Sequence, residues 1–327
     1  MARTRKNHGV NREESEPKLI RRADYVAAGG SLNEITRRVK SGEIVKVAPG
    51  VYAPSAIWAP AFPELKHTLR VHAQQRRLKS PTFSHYSAAG VHVFSLLGPW
   101  PDKVHVTECR ESKRGGRSEG AVVRHRAPLS AEETTIVDGI SVTTVPRTAY
   151  DLACQLPFTD AVAMLDSVRS RRRPLASIAE LTEAFESGRN LPGRPRALKA
   201  LEFSTDRSDS VQESRSRVLI HQLGFPPPQL QFSMNCDGKT YRADFWWKKY
   251  RHWGEFDGRG KYLSPRYQNG RTADQIVVAE KRREDAIRRN VDAFSRWEKR
   301  DLDDPQRLRE TLTSAGLPCE GPRMLPA

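Results

Sequence analysis

The sequence predicts an α/β protein of several domains, and three observations lead to this expectation. The chain has 327 residues, which is enough for two or three hydrophobic cores. Capped segments with helical periodicity alternate with short strands along its length. Near the C-terminus, residues 241–258 read as a hairpin that carries three carboxylates. We therefore expect an N-terminal winged helix-turn-helix, an α+β middle domain and a C-terminal α/β domain.

Changes in composition along the chain give the domain boundaries. Proline, glycine and arginine are concentrated at residues 191–196, which is typical of an exposed join between domains. Residues 1–8 are basic and no hydrophobic run follows them, so we expect a disordered arm and no secretory signal. The expected parts are an arm at 1–16, a winged helix-turn-helix at 17–60, a middle domain at 61–190, a linker at 191–205 and the C-terminal domain at 206–327.

Residues 17–54 have the pattern of helix, turn, helix and two short strands. Gly29 and Gly30 end the first helix, and Ser31 with Glu34 forms a capping box at the start of the second. Strands at 44–47 and 50–52 then form a wing around a Pro-Gly turn. The apolar residues that mark the two helices are Leu19, Ile20, Tyr25, Val26, Leu32, Ile35 and Val39.

Basic side chains follow this pattern closely. Arg37, Arg38 and Lys40 lie on the second helix, and Lys46 lies on the wing. In a winged helix-turn-helix these positions meet DNA phosphates or a groove. The alternative is a basic helix face that is simply solvated.

The charge of the whole chain also favours a polyanionic partner. The formal net charge is +16, and neutralising phosphates with such a surplus releases counterions. An anionic membrane or an acidic protein is the alternative, but the mean hydropathy is −0.65 and no apolar run approaches a membrane span. We therefore expect DNA as the partner, no membrane association and a cytoplasmic protein with reduced thiols.

The middle region offers no catalytic or metal-binding motif of its own. Ser84 and His85 are adjacent, but the chain has no G-x-S-x-G elbow that would indicate a hydrolase. Arg147 and Asp151 are spaced for an ion pair within one helix. The nine histidines form no ligand pattern, and His85 and His92 are too far apart to share a metal ion.

The strongest candidate site is the acidic hairpin. Residues 248–251 form a four-residue connection, and a regular hairpin then places Trp247 opposite His252 and Asp244 opposite Glu255. Because side chains alternate along a strand, Asp257 points the same way as Glu255. Carboxylates this close repel one another, so we expect a hard divalent cation to neutralise them.

Structural explanations stand beside this interpretation. Glu213 follows Ser210 with the spacing of a capping box and precedes Arg217 with the spacing of an ion pair. Asp257 is followed by glycine and fits an ordinary turn. Asp244 lies among bulky apolar residues, and Arg242 on the same face is a candidate partner.

The hairpin resembles the PD-(D/E)XK nuclease superfamily, in particular the domains related to very-short-patch repair endonucleases with an "xDF…xExDG" core. Residues 243–245 and 254–258 carry this resemblance, although Asp257 replaces the lysine of the parent motif. The resemblance implies a restriction-endonuclease-like fold and phosphodiester hydrolysis with Mg²⁺ or Mn²⁺. In that case Asp244 and Glu255 would hold the metal, and Asp257 would share it or orient a water. Glu213 would be the family's helical glutamate, and Lys261 would stand in for the missing lysine.

The N-terminal half resembles a second family. Residues 42–52 match the "G-E-I-V-K-V-x-x-G-V-Y" ending of the winged helix in type IV abortive-infection antitoxins, and residues 84–89 and 146–153 resemble segments of their companion domain. This resemblance implies DNA and a cognate toxin as partners. Two functions stay open: a DNA-binding protein with a metal-dependent endonuclease domain, or an antitoxin and transcriptional regulator in which the nuclease fold is degenerate and non-catalytic.

Overall fold

The computed structural model describes residues 19–108, 117–258 and 273–323. It is a mixed α/β protein, as the sequence predicts, and it divides into two compact units. The first unit comprises the described residues up to Val93 together with Pro99–Thr144, and the second comprises Phe94–Gly98 and the residues from Val145 onward. The predicted arm at 1–16 and Lys261 lie outside the described residues. Within the described ranges, no helix combines the length and the apolar character that crossing a membrane requires.

The first unit begins with two helices and a three-stranded sheet of order β1-β3-β2. Ser31 caps the second helix, because its hydroxyl accepts a hydrogen bond of 3.1 Å from the Glu34 amide. The first helix is shorter than predicted: Ile20 lies in a strand opposite Tyr52. The elements are β1 (Ile20–Arg21), α1 (Arg22–Ala27), α2 (Leu32–Lys40), β2 (Ile44–Ala48) and β3 (Val51–Pro54).

Only part of the predicted apolar stripe on these helices is buried. Ile35 is 3% exposed, whereas Leu32 and Val26 are 53% and 45% exposed. The helical periodicity therefore identified the helices correctly but overestimated how much of each faces the core of this unit.

A six-stranded sheet of order β6-β7-β5-β4-β9-β8 forms the rest of the first unit. Phe83, Val106 and Val142 pack in its core. Strands β5 and β7 are neighbours in this order and run parallel. The elements are α3 (Ser55–Trp58), α4 (Pro63–Gln75), β4 (Thr82–Phe83), α5 (His85–Val91), β5 (Val104–Glu108), β6 (Arg117–Glu119), β7 (Val122–Arg126), β8 (Thr134–Val137) and β9 (Ile140–Thr143).

The second unit opens with a group of packed helices. The predicted ion pair between Arg147 and Asp151 is present at 3.0 Å and is buried. Residues 191–205, where the sequence predicts a linker, contain a helix with Ala197 and Ala200 buried, so this segment belongs to the core of the unit. The helices are α6 (Val145–Gln155), α7 (Phe158–Arg169), α8 (Ile178–Glu186), α9 (Arg194–Phe203) and α10 (Val211–Gln222).

A four-stranded sheet of order β10-β11-β12-β13 completes the second unit. The first three strands are antiparallel, and β13 joins β12 in parallel after a helical crossover, which covers the sheet as an α/β arrangement requires. Adjacent tryptophans point to opposite faces: Trp247 packs with Trp297, and Trp246 packs with Trp253. The elements are β10 (Gln229–Cys236), β11 (Lys239–Trp247), β12 (His252–Phe256), α11 (Ala273–Arg288), β13 (Ala293–Trp297), α12 (Lys299–Asp303) and α13 (Pro305–Ser314).

A candidate acidic cleft and a histidine cluster

The hairpin of β11 and β12 has the predicted register. Trp247 lies opposite His252, and Phe245 lies opposite Gly254. The connection is a short 3₁₀ turn that Arg251 closes in the left-handed conformation. The ladder stops before Asp244, whose Oδ2 accepts a hydrogen bond of 3.0 Å from the Phe256 amide. The two strands therefore open at the position where the sequence places the acids.

A cleft of about 380 Å³ lies at this opening, and Asp244, Glu255 and Asp257 all line it. These three carboxylates therefore share one cleft. Within the described ranges, however, these carboxylates do not form a set whose oxygens all lie within 4.8 Å of one another. The remaining charged side chains that line the cleft are Arg242, Glu280, Arg283 and Arg296.

Two arginines neutralise the central carboxylate. Glu255 is 7% exposed and forms ion pairs with Arg283 and, at 3.0 Å, with Arg296. Trp253 also donates its indole N–H to Glu255 at 2.7 Å. Burial alone would raise the pKa of Glu255, but the hydrogen bond and charge of Arg283, with Trp253 and Arg296, hold this pKa below its usual value.

The two arginines are themselves held by a second glutamate. Glu280 on α11 lies 2.9 Å from Arg283 and 2.9 Å from Arg296. Although burial lowers the pKa of Arg283, Glu255 and Glu280 raise it above its ordinary value. The cleft is thus bordered by a network of alternating charges in which both arginines stay protonated.

Glu213 occupies the position predicted by the capping-box interpretation and also connects to the cleft. Its amide donates to Ser210 at 3.2 Å, and Ser210 donates back to its carboxylate at 2.9 Å. The side-chain amide of Gln231 donates to Glu213 at 2.9 Å and lies 3.4 Å from Asp244 Oδ1. Gln231 has a φ of +55°, unusual for a residue other than glycine. A strained glutamine therefore bridges the helical glutamate and the cleft aspartate.

Other partners proposed from sequence spacing are engaged differently. Arg217, proposed as the partner of Glu213, pairs with the buried Asp166 at 2.9 Å. Arg242, proposed as the partner of Asp244, donates to Asp209 at 2.6 Å. Sequence spacing identified these side chains as ion-pair formers but did not identify the residues that they contact across the fold.

The basic residues of α2 and the wing are not equivalent. Arg37, Lys40 and Lys46 are exposed. Arg38 is half-buried, and its guanidinium pairs with Glu43 at 2.8 Å. Three of the four predicted DNA-contacting residues therefore present their charge to solvent, and Arg38 has a structural partner.

Three histidines come together in the first unit. His85 starts α5, His105 lies on β5 and His125 lies on the adjacent strand β7. One nitrogen from each imidazole lies within 4.8 Å of the other two. Among the described residues, these three form the group of potential metal ligands that meets this distance. The His105 Nδ1 to His125 Nε2 distance is 3.0 Å, and the rings of His85 and His125 stack with their centroids 3.6 Å apart.

Both strand histidines are neutral at physiological pH. Burial, with the neighbouring His125 and His67, lowers the pKa of His105 to about 3. Burial lowers the pKa of His125 to about 4. No local pattern predicts this cluster, because its members come from separate elements and match no ligand motif.

Comparisons with known proteins give relatives but no activity. No protein-family model matches the chain. Two uncharacterized proteins of Mycobacterium tuberculosis, MT2308 and Rv2248, are each 31% identical to it over 130 residues, which is 39% of this chain and 47% of the relative. The chain thus spans about half the length of these relatives. The crystal structure of the M. tuberculosis RV2827C protein covers 63% of this chain and 77% of its own at 17% identity, with a TM-score of 0.36.

Proposed function

We propose that this chain is a DNA-binding protein whose second unit is a metal-dependent nuclease of the restriction-endonuclease-like class. The observation that carries the proposal is the cleft where β11 and β12 separate, because Asp244, Glu255 and Asp257 all line it. The sheet has an antiparallel hairpin followed by a crossover to a parallel strand, which agrees with the fold expected from the resemblance to PD-(D/E)XK nucleases. We identify the acidic cleft as the reactive site.

The first unit would supply DNA contacts through a winged helix-turn-helix. Helices α1 and α2 precede the β2–β3 hairpin in the order that this motif requires. Arg37 and Lys40 on α2 and Lys46 on the wing are exposed, and the chain carries a net charge of +16. These features support phosphate contacts at this surface, in keeping with the resemblance to abortive-infection antitoxins.

The donors of the cleft suit a hard divalent cation. Asp244 and Asp257 offer carboxylate oxygens, which Mg²⁺ prefers, and Glu255 would join them once Arg283 and Arg296 shift toward another anion. When bound, such a metal lowers the pKa of its water and offsets charge on the phosphate.

The other residues of the cleft would position the reactants. Gln231, whose side-chain amide donates a hydrogen bond to Glu213, would orient the Asp244 carboxylate. Arg283 and Arg296 line the same cleft and are suited to a phosphodiester, because guanidinium groups bind phosphate oxygens with two parallel hydrogen bonds. A phosphate that engages these arginines would compete with Glu255 for them and release its carboxylate. Lys261 remains a candidate for the missing lysine of the motif.

Cleavage of supercoiled plasmid tests the proposed reaction. We expect the purified chain to nick plasmid in the presence of Mg²⁺ or Mn²⁺ and to stop when a chelator removes the metal, because the acids cannot activate water alone. Nicking that continues at full rate in excess chelator would contradict a metal-dependent site. A protein that binds DNA but leaves it intact with every divalent cation supplied would exclude the nuclease.

A second candidate function is a transcriptional regulator or antitoxin with a non-catalytic nuclease fold and a toxin as partner. The observation that favours it is the state of Glu255, which is already neutralised by Arg283 and Arg296. Among the described residues that line the cleft, none is a lysine. This function would be supported by DNA binding without cleavage and by ion pairs of Arg283 and Arg296 with Glu255 that persist when a divalent metal is added.

Substituting the exposed basic residues tests the DNA-binding surface. We expect the variant R37A/K40A/K46A to bind DNA more weakly and to lower the slope of log affinity against log salt by about 1 for each lost phosphate contact. Its unfolding free energy should change by less than about 0.5 kcal/mol per residue, because these side chains are exposed. Titration of a labelled duplex at several salt concentrations measures the slope.

The control for this experiment is Lys79→Ala, which removes another exposed positive charge of the same unit that belongs to neither α2 nor the wing. It should leave the salt slope unchanged. Equal slopes for the triple variant and the parent protein would show that DNA contacts lie elsewhere.

A further inference from the structure

The histidine cluster of the first unit has no role in the acidic cleft, which belongs to the second unit. We propose that His85, His105 and His125 form a binding site for a divalent transition metal ion of the zinc type. Imidazole nitrogen is a preferred ligand of such ions, whereas Mg²⁺ prefers oxygen. The two sites would therefore select different metals.

The distances within the cluster are close to those of a metal centre. Zinc binds histidine nitrogens at about 2.0–2.1 Å, so three nitrogens around one ion stand roughly 3.3 Å apart in a tetrahedral arrangement. His105 Nδ1 and His125 Nε2 are already 3.0 Å apart, and the three ligand atoms all lie within 4.8 Å of one another. The stacked rings of His85 and His125 must rotate out of their parallel arrangement before all three nitrogens face one ion.

Serine hydroxyl groups contact two of the three ligands. Ser84 Oγ lies 3.0 Å from His85 Nδ1 and accepts a hydrogen bond of 2.8 Å from Thr107. When Nδ1–H donates to Ser84, the imidazole lone pair is on Nε2, the atom that binds a metal. Ser87 accepts a hydrogen bond of 2.8 Å from the His105 amide and so fixes the backbone of that ligand. Metal-binding histidines usually donate their second ring N–H to an oxygen acceptor, as His85 would to Ser84.

The backbone of His85 is also held in an uncommon conformation. Its φ is +50°, in the left-handed region that residues with a Cβ rarely adopt. Because His85 starts α5 with one residue between it and the end of β4, this conformation sets the direction in which the imidazole leaves the backbone. Strained residues of this type are concentrated at binding and catalytic sites.

Three protein ligands leave one position of a tetrahedral ion for a further donor. Structural zinc sites use four protein ligands, whereas sites that bind water or substrate use three. His85 and His105 are buried, but His125 is half-buried, so the cluster lies close to solvent. We therefore assign the fourth position to water or to an exchangeable ligand.

Zinc binding by the full chain tests this site. We expect one high-affinity Zn²⁺ per chain and a rise in melting temperature when Zn²⁺ is added, because the ion binds the folded state. The variants His105→Gln and His125→Gln should bind Zn²⁺ at least about 100-fold more weakly, since losing even a hydrogen-bond partner of a ligand costs about 10–100-fold. Isothermal titration calorimetry with Zn²⁺ measures the affinity.

Two controls separate this site from other metal contacts. His92→Gln removes a histidine of the same unit that bonds the Thr143 carbonyl, and it should keep the parent affinity. Asp244→Asn removes an acid of the cleft and should also have the zinc affinity of the parent protein. The zinc result is therefore independent of whether the cleft is a nuclease site. Zinc affinity that is lost in these controls, or retained in both His105→Gln and His125→Gln, would overturn the assignment.

A spectroscopic measurement covers the case in which the glutamine variants do not fold. The zinc X-ray absorption spectrum of the parent protein should contain the multiple scattering of imidazole rings. A spectrum with oxygen scattering and no imidazole contribution, or no zinc binding at all, would mean that the three histidines are only a hydrogen-bonded part of the core.

Discussion

Replacing Glu255 with glutamine should destabilise the second unit by about 3 kcal/mol, because it removes the shared partner of two partly buried arginines. Arg283 and Arg296 have side chains that are 26% and 24% exposed, and Glu255 is buried between them. Glu280 continues to pair with both, which keeps the loss near the lower end for a broken buried ion pair. Urea unfolding of the parent and the variant at neutral pH measures the difference.

The matched control is Asp292→Asn, which breaks the pair with Arg251 at a site where the aspartate side chain is 69% exposed. A surface pair of this kind contributes about 0–1 kcal/mol. If the two variants lose the same small free energy, the arginine network around Glu255 does not stabilise the fold.

The pH dependence of stability gives the same network a second readout. The pKa of Glu255 is lower in the folded protein than in the unfolded chain, where it is about 4.3. The contribution of Glu255 to the free energy of unfolding is therefore complete above the unfolded pKa and is lost as the pH falls through the folded pKa. The parent protein should therefore lose stability on acidification below this range, and Glu255→Gln should lose less. Parallel losses in both proteins would assign the acid sensitivity to other carboxylates.

Asp244→Asn should reduce metal-dependent DNA cleavage by at least about 100-fold, because it removes a carboxylate ligand of the metal. Loss of a hydrogen-bond partner of a ligand alone lowers metal affinity or activity about 10–100-fold. Asparagine keeps an oxygen that accepts from the Phe256 amide, so the unfolding free energy without metal should change by less than about 1 kcal/mol. The stabilisation that Mg²⁺ or Mn²⁺ gives the parent protein should disappear in the variant. Plasmid nicking and melting curves with and without metal measure both effects.

The control for this variant is Asp303→Asn, which removes an acid of the same unit outside the cleft that pairs with Arg215 at 2.8 Å. It should cleave like the parent protein. An Asp244→Asn variant that cleaves normally, or one that is strongly destabilised while metal has no effect on the parent, would contradict a metal site at Asp244.

Local features of this chain were predictable because their causes are local. The four residues between Trp247 and His252 set the register of the hairpin, and that register is present. Asp304 and Pro305 predict the start of the last helix, and Asp304 caps it by accepting a hydrogen bond from the Gln306 amide. In both places the sequence supplies the turn or cap that fixes the backbone within a few residues.

Contacts between distant elements were not predictable from spacing. Glu255 receives Arg283 from α11 and Arg296 from β13, which are 28 and 41 residues away along the chain. The histidine cluster depends on the pairing of β5 with β7, which places His105 and His125 on neighbouring strands. Such pairs depend on which elements the topology brings together. Because the sequence has many charged residues, spacing along the chain does not show which of them pair across the fold.

The parallel strand β13 has a consequence for the order of events during synthesis. The hairpin with Glu255 leaves the ribosome first, whereas Arg283 and Arg296 follow on later elements. Until β13 pairs with β12, the hairpin has an open edge and its central acid lacks Arg296 as a partner. A chain that terminates before β13 would keep this edge exposed and become a target for aggregation or proteolysis. The last strand thus makes stability of the second unit depend on complete translation.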